Sequence, residues 1–488
     1  MSDYRLRSSA ISYFAGWILL VGTLALFSTI VMMSGVPDLT ADPSLIALGA
    51  IATWRYTWAA INLGRAAAYQ FAVFPRIRRA LPTRANASHV YVVVLSYHMG
   101  AEANAAVYGA LIRDLKRHGR PATVVACISD PVDFEVLNAF RHLSKVRLIP
   151  LQQSNKGKRD AMERGLALLA QSNPPRGSVL ALMDGDTLVP EGTFDRTVPF
   201  LVADPELGAL TTDNVPLVAG SAISREWYRL RMRNRHELMS SLSLSERVLV
   251  LTGRLSLFRA EIALSPEFIA AVGHDGAYHW RLGRIGMLTG DDKSTWFYAL
   301  RRGWKLMYVP DVIVYCLEKL PRQGFCGSTI ALMFRYFGNM ARNNTRALRL
   351  GPLRVGWFTW LILLDQRVSP WTSLWGPLSA VSLGLFYDKS VLAIYVCWVL
   401  LTRTAQCAIF GLFRLTFHPL FPFLQFYNQI VGASLKIAVF FNPDKQSWTR
   451  QLTGGAAVRH HASSSVLLWL SLALLATTGC CRSNIVRH

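Results

Sequence analysis

The sequence predicts an α/β domain with a mostly parallel sheet, set between membrane-spanning helices at both ends of the chain. Three observations carry that expectation. Long apolar stretches occur near the start and again after about Val355, whereas the middle of the chain is polar. Within the middle, short apolar runs alternate with segments of helical period, the pattern of strand–helix–strand units. Acidic sites punctuate the same stretch at Asp130, Asp184-Gly185-Asp186 and Asp291-Asp292, the first two at the ends of strand-like runs.

The membrane elements come first in the chain. Ile11 to Met33 contains no charged residue. It is long enough to cross a bilayer and too long and unpunctuated for a cleaved signal. A second apolar stretch covers about Leu45 to Leu63. The loop between them carries Asp38 and Asp42 but no Lys or Arg, while Arg5 and Arg7 precede the first span and Arg65, Arg76, Arg78, Arg79 and Arg84 follow the second. The positive-inside rule then puts the N-terminus and the polar middle in the cytoplasm. Further spans are expected at Trp371 to Tyr387, Ser390 to Phe413 and Ser464 to Cys481. Thr416 to Phe441, with Pro419, Pro422, Asn428 and Lys436, reads as interfacial or re-entrant. The expected division is therefore 1–65 (two membrane helices), 66–352 (cytoplasmic domain) and 353–488 (membrane and interfacial helices).

Composition narrows the class. With 488 residues, 52% of them hydrophobic, and a mean hydropathy of +0.26, the chain is too apolar for an ordinary soluble enzyme. The net charge of +22 exceeds what membrane anchoring requires. Anionic lipid in the bilayer and an acidic substrate or product both fit it. Nucleic acid is disfavoured, because no basic run with interleaved aromatics appears. The seven cysteines show neither metal spacing nor a disulfide framework.

In the cytoplasmic stretch, His89 to Ser96, Ala122 to Ile128 and Val146 to Leu151 read as strands, and Ala101 to Lys116 and Lys158 to Gln171 as helices. The run Ser178 to Met183 is a further strand and delivers Asp184. In such a sheet, ligands sit at the carboxyl ends of the strands. An isolated Asp-Gly-Asp is as often a turn as a ligand pair. Its place at a strand end favours the reading that Asp184 and Asp186 hold Mg²⁺ or Mn²⁺ against a diphosphate. Asn155-Lys156-Gly157-Lys158-Arg159 precedes a helix, and the bland reading is a solvated turn. The alternative is a helix N-terminus whose lysines face phosphate oxygens. Asp291 and Asp292 open a helical run, where acids often merely cap. Placed near a metal, one of the pair is suited to act as a general base while its neighbour orients it.

The order SYHMGAE, SD, NKGKR, DGD, TGR, GDDK, followed by an arginine-rich helix, resembles the processive family 2 glycosyltransferases. More specifically, MDGDT, LTGRLSLFR, TGDDKSTW, RYFGNMARNN and NPDKQSWTRQ are similar to the alginate (poly-mannuronate) polymerases of bacteria, over about residues 10 to 455. The resemblance implies a GT-A (Rossmann-like) glycosyltransferase domain. In it Tyr97, Glu102 and Asp130 hold the nucleoside, Lys156 or Lys158 the diphosphate, and Asp184 and Asp186 the metal. Thr252 and Gly253 line the acceptor site, and Asp292, next to Asp291, is the base. It further implies GDP-mannuronate as donor, a growing β-1,4 polymannuronate chain, and a separate partner whose PilZ domain senses cyclic di-GMP. The residues after 455 are expected to be too few for a PilZ domain within this chain. A synthase of the chitin or hyaluronan type, using a UDP-sugar, is the alternative. A scaffold with a degenerate transferase domain is disfavoured by the intact carboxylates.

One departure from the family pattern stands out. The Gln-x-x-Arg-Trp signature appears as Asn339-Met340-Ala341-Arg342-Asn343, so the tryptophan platform for the acceptor sugar is absent. The resemblance places Asn339, Arg342 and Asn343 at the acceptor or product, where a polar, cationic setting suits a charged uronate. The bland reading is a basic juxtamembrane helix on anionic lipid.

Overall fold

The computed structural model describes residues 9–34, 43–82, 86–143, 146–154, 156–386, 388–414 and 416–446. The strands are β1 (Val90–Leu95), β2 (Ala122–Ile128), β3 (Arg147–Gln152), β4 (Val179–Asp184), β5 (Thr187–Leu188), β6 (Leu207–Ala219), β7 (Leu255–Arg259), β8 (Gly276–His279), β9 (Gly283–Gly286) and β10 (Lys305–Lys319). Eight of them form one sheet in the order β3-β2-β1-β4-β7-β6-β10-β5, and β8 with β9 makes a separate hairpin.

The apolar runs become strands because both sheet faces are covered. Every residue of β1 and β2 is buried, as expected for strands with helices on either side. Alternate residues of β1 serve two cores. Tyr91, Val93 and Leu95 pack with Met162, Leu166 and Leu169 of helix Lys158–Ala170. Val90, Val92 and Val94 share a core with Val107, Leu111 and Leu115 of helix Ala101–His118. Gly165 lets the first of these helices lie close to the sheet, since a Cβ there would stand 3.1 Å from Val93 and 3.2 Å from the Cys127 sulfur.

The expectation of a mostly parallel sheet needs correction in its second half. β3, β2, β1 and β4 run parallel, as do β6 and β10. β7, however, is antiparallel to both β4 and β6, and β5 is antiparallel to β10. The cause is the path of the preceding chain. The Gly253 carbonyl accepts the Asp184 amide at 2.7 Å, so β7 begins where β4 ends and must run back along it. Hydropathy patterns carry no such directional information.

Helices Ala10–Ser34, Pro43–Ala67, Trp357–Phe386, Lys389–Arg414 and Phe421–Phe441 lie outside the sheet domain. Two segments, Ala10–Met33 and Lys389–Leu412, are long and apolar enough to cross a membrane. The second helix continues through a π-helical turn, Ala68–Val73, into helix Phe74–Ala80. The span expected from Trp371 belongs to the longer helix Trp357–Phe386, which also contains Asp365. Arg55 pairs with that aspartate at 2.9 Å. The expected span Ser464 to Cys481 lies outside the described residues.

Helix Ala222–Ser243 joins the sheet domain to these outer helices. His236 on it is buried against the Tyr308 hydroxyl of β10 at 2.7 Å, with Asp213 of β6 at 3.4 Å. The Trp227 indole N–H donates to Asn428 of helix Phe421–Phe441 at 2.7 Å. Trp227, Tyr228 and Leu230 pack there with Leu332, Phe417 and Phe421.

A buried carboxylate holds another helix in place. Asp114 accepts the Gly192 and Phe194 amides, the latter at 3.0 Å, and so caps helix Thr193–Ala203, whose own N-cap is a glycine without a side-chain acceptor. Hydrogen bonds to a charged group contribute about 1.5–3 kcal/mol, and the orphaned amides would be buried. Asp114→Ala is therefore expected to lower stability by about that amount, read as a reduced thermal midpoint of the purified chain.

Candidate active site

Three motifs distant in sequence meet at one ammonium group. Lys158, the first residue of its helix, places Nζ 2.7 Å from Asp184 Oδ1 and 2.7 Å from Asp291 Oδ2. Asp184 closes β4, and Asp291 opens helix Asp291–Arg301 after Gly290. Burial disfavours the charge on Lys158, but Asp184 and Asp291 outweigh it and hold the lysine firmly protonated. Of the two expected lysines, Lys158 occupies this centre, whereas Lys156 is exposed.

The Asp-Gly-Asp turn is fixed by backbone contacts that only glycine permits. The Gly185 amide donates to the Leu95 carbonyl at 2.9 Å. A Cβ at Gly185 would lie 2.6 Å from the Ser96 Cα, so the end of β1 presses directly on the turn. Gly253 is similarly confined: a Cβ there would stand 2.8 Å from Asp184 Oδ2 and 3.1 Å from Lys158 Nζ. Beside it, buried Thr252 is 3.0 Å from the Thr211 hydroxyl.

Asp186 faces the opposite side and is held by Arg254, which also engages Glu318 of β10. Both aspartates thus point one oxygen at a cation of the protein. No cluster of three metal-ligating side chains occurs among the described residues. Two carboxylates on one tight turn nevertheless fit a hard divalent ion that keeps waters and draws further oxygens from a diphosphate. Asp184 and Asp186 are the residues that would hold it.

Asp292 lies beside this pair. Burial raises its pKa above the usual carboxylate range, and Asp291 raises it further, while Lys158 and Lys293 oppose both. Lys293 is buried below, donating to the Leu249 carbonyl at 2.5 Å and to Asn344 Oδ1 at 3.3 Å. Burial pushes its pKa down to about 8, with Asp292 resisting the shift.

The residues expected to hold the nucleoside lie near the ends of β1 and β2. His98 Nδ1 is 2.9 Å from Asp130, and the rings of Tyr97 and His98 sit 4.2 Å apart. Glu102 lies in the first turn of helix Ala101–His118. His98 reads as isolated in sequence, and only the fold supplies its partner.

The residues expected at the acceptor, Asn339, Arg342 and Asn343, are held in a hydrogen-bonded network. Arg342 is buried and donates to Thr289 Oγ1 at 2.9 Å, Asn339 Oδ1 at 2.6 Å and the Pro443 carbonyl at 2.9 Å. Asn339 also accepts from Thr289 at 2.7 Å. Burial, with a contribution from Arg159, lowers the Arg342 pKa to about 10, so the side chain remains charged at neutral pH. Asn343 is fully buried, donating to the Asn339 carbonyl at 3.2 Å and accepting from Arg346 at 3.2 Å. Asn339 and Arg342 therefore tie helix Phe325–Arg349 to Thr289, just ahead of Asp291 and Asp292. Gln446 adds to the tie, its Oε1 accepting the Leu288 and Thr289 amides at 3.1 and 3.3 Å.

Comparison with known proteins fits this arrangement. Residues 87–345 match the model of the "Glycosyltransferase like family 2" domain. Two relatives, each named glycosyltransferase alg8, align over 90% of both chains. The one from Pseudomonas syringae pv. tomato is 38% identical and the one from Azotobacter vinelandii 37%.

The chain belongs to family 2 of the glycosyltransferases.

Among solved structures, a mannosyltransferase from Pyrobaculum calidifontis in complex with GDP-Man and Mn²⁺ is similar at a TM-score of 0.47 and 18% identity, covering 78% of this chain and 98% of that one. A GalNAc-T7 structure with UDP, GalNAc and Mn²⁺ gives 0.33 and 14%, covering 48% and 44%.

Several residues of this glycosyltransferase site escape the sequence reading. Arg159, part of an apparently solvated basic turn, is buried and donates to the Val272 carbonyl at 2.7 Å and to Ser294 at 2.9 Å. Arg254 was signalled only by its place after Gly253, and nothing local marks Glu318. Because Gly253 touches both Asp184 and Lys158, Gly253→Ala is expected to weaken metal-dependent nucleoside diphosphate binding at least about tenfold, roughly 1.4 kcal/mol. Thermal stabilisation by the nucleotide measures this, with the melting midpoint of the unliganded chain as the folding control.

Proposed function

We propose that this glycosyltransferase is a processive, inverting enzyme that polymerises mannuronate from GDP-mannuronate into β-1,4-linked polymannuronate, the alginate precursor. The observation that carries the reading is the shared ammonium of Lys158, which puts the Asp-Gly-Asp turn and the Asp291-Asp292 pair in one centre. The alg8 relatives and the RYFGNMARNN segment favour a uronate polymer over other family 2 products.

In this reading Tyr97, Glu102 and Asp130 receive the nucleoside, and Lys158 and the turn receive the diphosphate. Asp184 and Asp186 would hold Mg²⁺ or Mn²⁺, which would supply charge stabilisation for the departing diphosphate. Asp292 accepts the proton of the acceptor hydroxyl as that oxygen attacks the anomeric carbon. The new C–O bond forms on the face opposite the breaking bond to phosphate, and GDP leaves. Asp291, held by Lys158, keeps its neighbour oriented. The raised pKa of Asp292 makes it a stronger base than an ordinary carboxylate at neutral pH.

The outer helices are proposed to place the enzyme in the bacterial inner membrane with its catalytic domain in the cytoplasm, crossing the bilayer several times. Synthesis is then coupled to export, and a partner with a PilZ domain regulates it through cyclic di-GMP.

Thermal stabilisation of the detergent-purified chain by GDP against UDP, each with Mg²⁺, tests the donor. Selective stabilisation by GDP is expected. Selective stabilisation by UDP would transfer the enzyme to the chitin or hyaluronan type. Asp292→Asn is expected to retain GDP binding while losing transfer by about 10²–10⁴-fold, measured as polymer formed from GDP-mannuronate. Transfer by the native enzyme should also fall as pH decreases through the raised pKa of Asp292, because protonation removes the base. A flat acid limb down to the pH where ordinary carboxylates titrate would exclude Asp292 from that role.

A further inference from the structure

Helix Ala222–Ser243 carries arginines at positions 225, 229, 231, 233 and 235, and their surroundings differ. Arg229 pairs with Glu226 at 2.7 Å. Arg233 is fully buried and donates to the Thr416 carbonyl at 3.2 Å. Arg231 and Arg235, one helical turn apart and so on one face, turn toward β10 and helix Phe325–Arg349. The Arg231 guanidinium lies 3.8 Å over the Tyr336 ring, and Arg335 donates to the Tyr336 hydroxyl at 3.1 Å.

The acids nearby do not meet this demand. Glu318 and Asp186 are both engaged by Arg254. Asp213 faces His236. The Asn214 side-chain oxygen, in the amide orientation its neighbours require, accepts from Arg235 Nη1 at 2.8 Å. Among the described residues, Arg231 Nη1 and Arg235 Nε and Nη2 remain buried without an acceptor. Buried donors of charged groups forfeit hydration and call for a partner. Burial raises the Tyr336 pKa, yet Arg335 and Arg231 outweigh it and lower the phenol's pKa, a sign of positive potential that the protein's own acids leave uncancelled.

We propose that Arg231 and Arg235, with Arg335 across the Tyr336 ring, form a carboxylate-binding site for a uronate residue of the polymer. The inference rests on the polyuronate product proposed above and names the residues that select it. A guanidinium fork matches a carboxylate bidentately. A neutral sugar of the same shape offers only hydroxyls and leaves the buried donors with weaker partners. The site adjoins the catalytic centre through Arg254, which links Glu318 to Asp186. Arg342, the cation suggested by the sequence motif, is already committed to Thr289, Asn339 and Pro443.

The test uses the full chain in detergent and two probes, a β-1,4-linked mannuronate hexasaccharide and the neutral mannose hexasaccharide of the same linkage. The native chain is expected to bind the acidic probe at least tenfold more tightly than the neutral one. The Arg231→Gln/Arg235→Gln variant should lose that affinity at least tenfold while keeping its stabilisation by whichever nucleotide stabilises the native chain. Arg231→Lys/Arg235→Lys, which keeps the charge without the fork, should recover only part of it, and it takes over the test should the glutamine variant not fold. The site is overturned by any of three results: no measurable binding of the acidic probe to the native chain, equal binding of both probes, or unchanged affinity in the folded variant. Stabilisation by UDP in place of GDP would instead overturn the donor assignment, and the hexasaccharide comparison would still decide the arginine site.

Discussion

Everything at the catalytic centre depends on one ammonium balancing carboxylates that repel one another. Asp184 and the adjacent pair Asp291-Asp292 come from distant parts of the chain and crowd together, Asp184 and Asp291 in contact with Lys158. At about 4 Å and an effective dielectric constant near 20, each like-charge pair costs roughly 4 kcal/mol. Lys158 offsets this only because helix Lys158–Ala170 starts at that residue and the helix is clamped to the sheet through Gly165. Removing one partner of such a buried pair leaves uncompensated charge, typically costing about 3–5 kcal/mol. The nucleotide site and the candidate base are therefore coupled electrostatically before any substrate arrives.

Legibility in the sequence followed the range of each interaction. β1, β2, β4 and the flanking helices were readable because burial on two faces leaves a local hydropathy pattern. The positions of Asp184 at a strand end and of Asp291 and Asp292 at a helix start were readable because the flanking hydropathy pattern is local. The reversed direction of β7 was not, since it depends on the Gly253 carbonyl meeting Asp184 across the sheet. Arg159, Arg254 and Glu318 were likewise hidden. Their partners stand far away in sequence, and a basic turn that is buried looks the same in one dimension as one that is solvated.

The absent tryptophan of the family signature acquires a physical account. A stacking platform at position 343 would need an open face, whereas Asn343 is enclosed and bonded to the Asn339 carbonyl and Arg346. The motif's polar residues instead close a network through Thr289, Asn339, Arg342 and Pro443, which joins the helix to the segment leading into Asp291 and Asp292. The network joins three parts of the chain, the Thr289 loop, helix Phe325–Arg349 and Pro443, and among the described residues leaves Arg342 Nε without a partner.

A polyanionic product poses a problem that a neutral polymer does not. Its carboxylates compete with the donor's diphosphate for every cation in reach. Lys158 is already paired with Asp184 and Asp291. Arg342 is shielded by its internal hydrogen bonds. Among the described residues, Arg231 Nη1 and Arg235 Nε and Nη2 have no acceptor, whereas Arg254 is paired with Asp186 and Glu318. If the product is the proposed polyuronate, the cation proposed to meet the donor, Lys158, carries its own carboxylates, and the donors proposed to meet the polymer, on Arg231 and Arg235, do not.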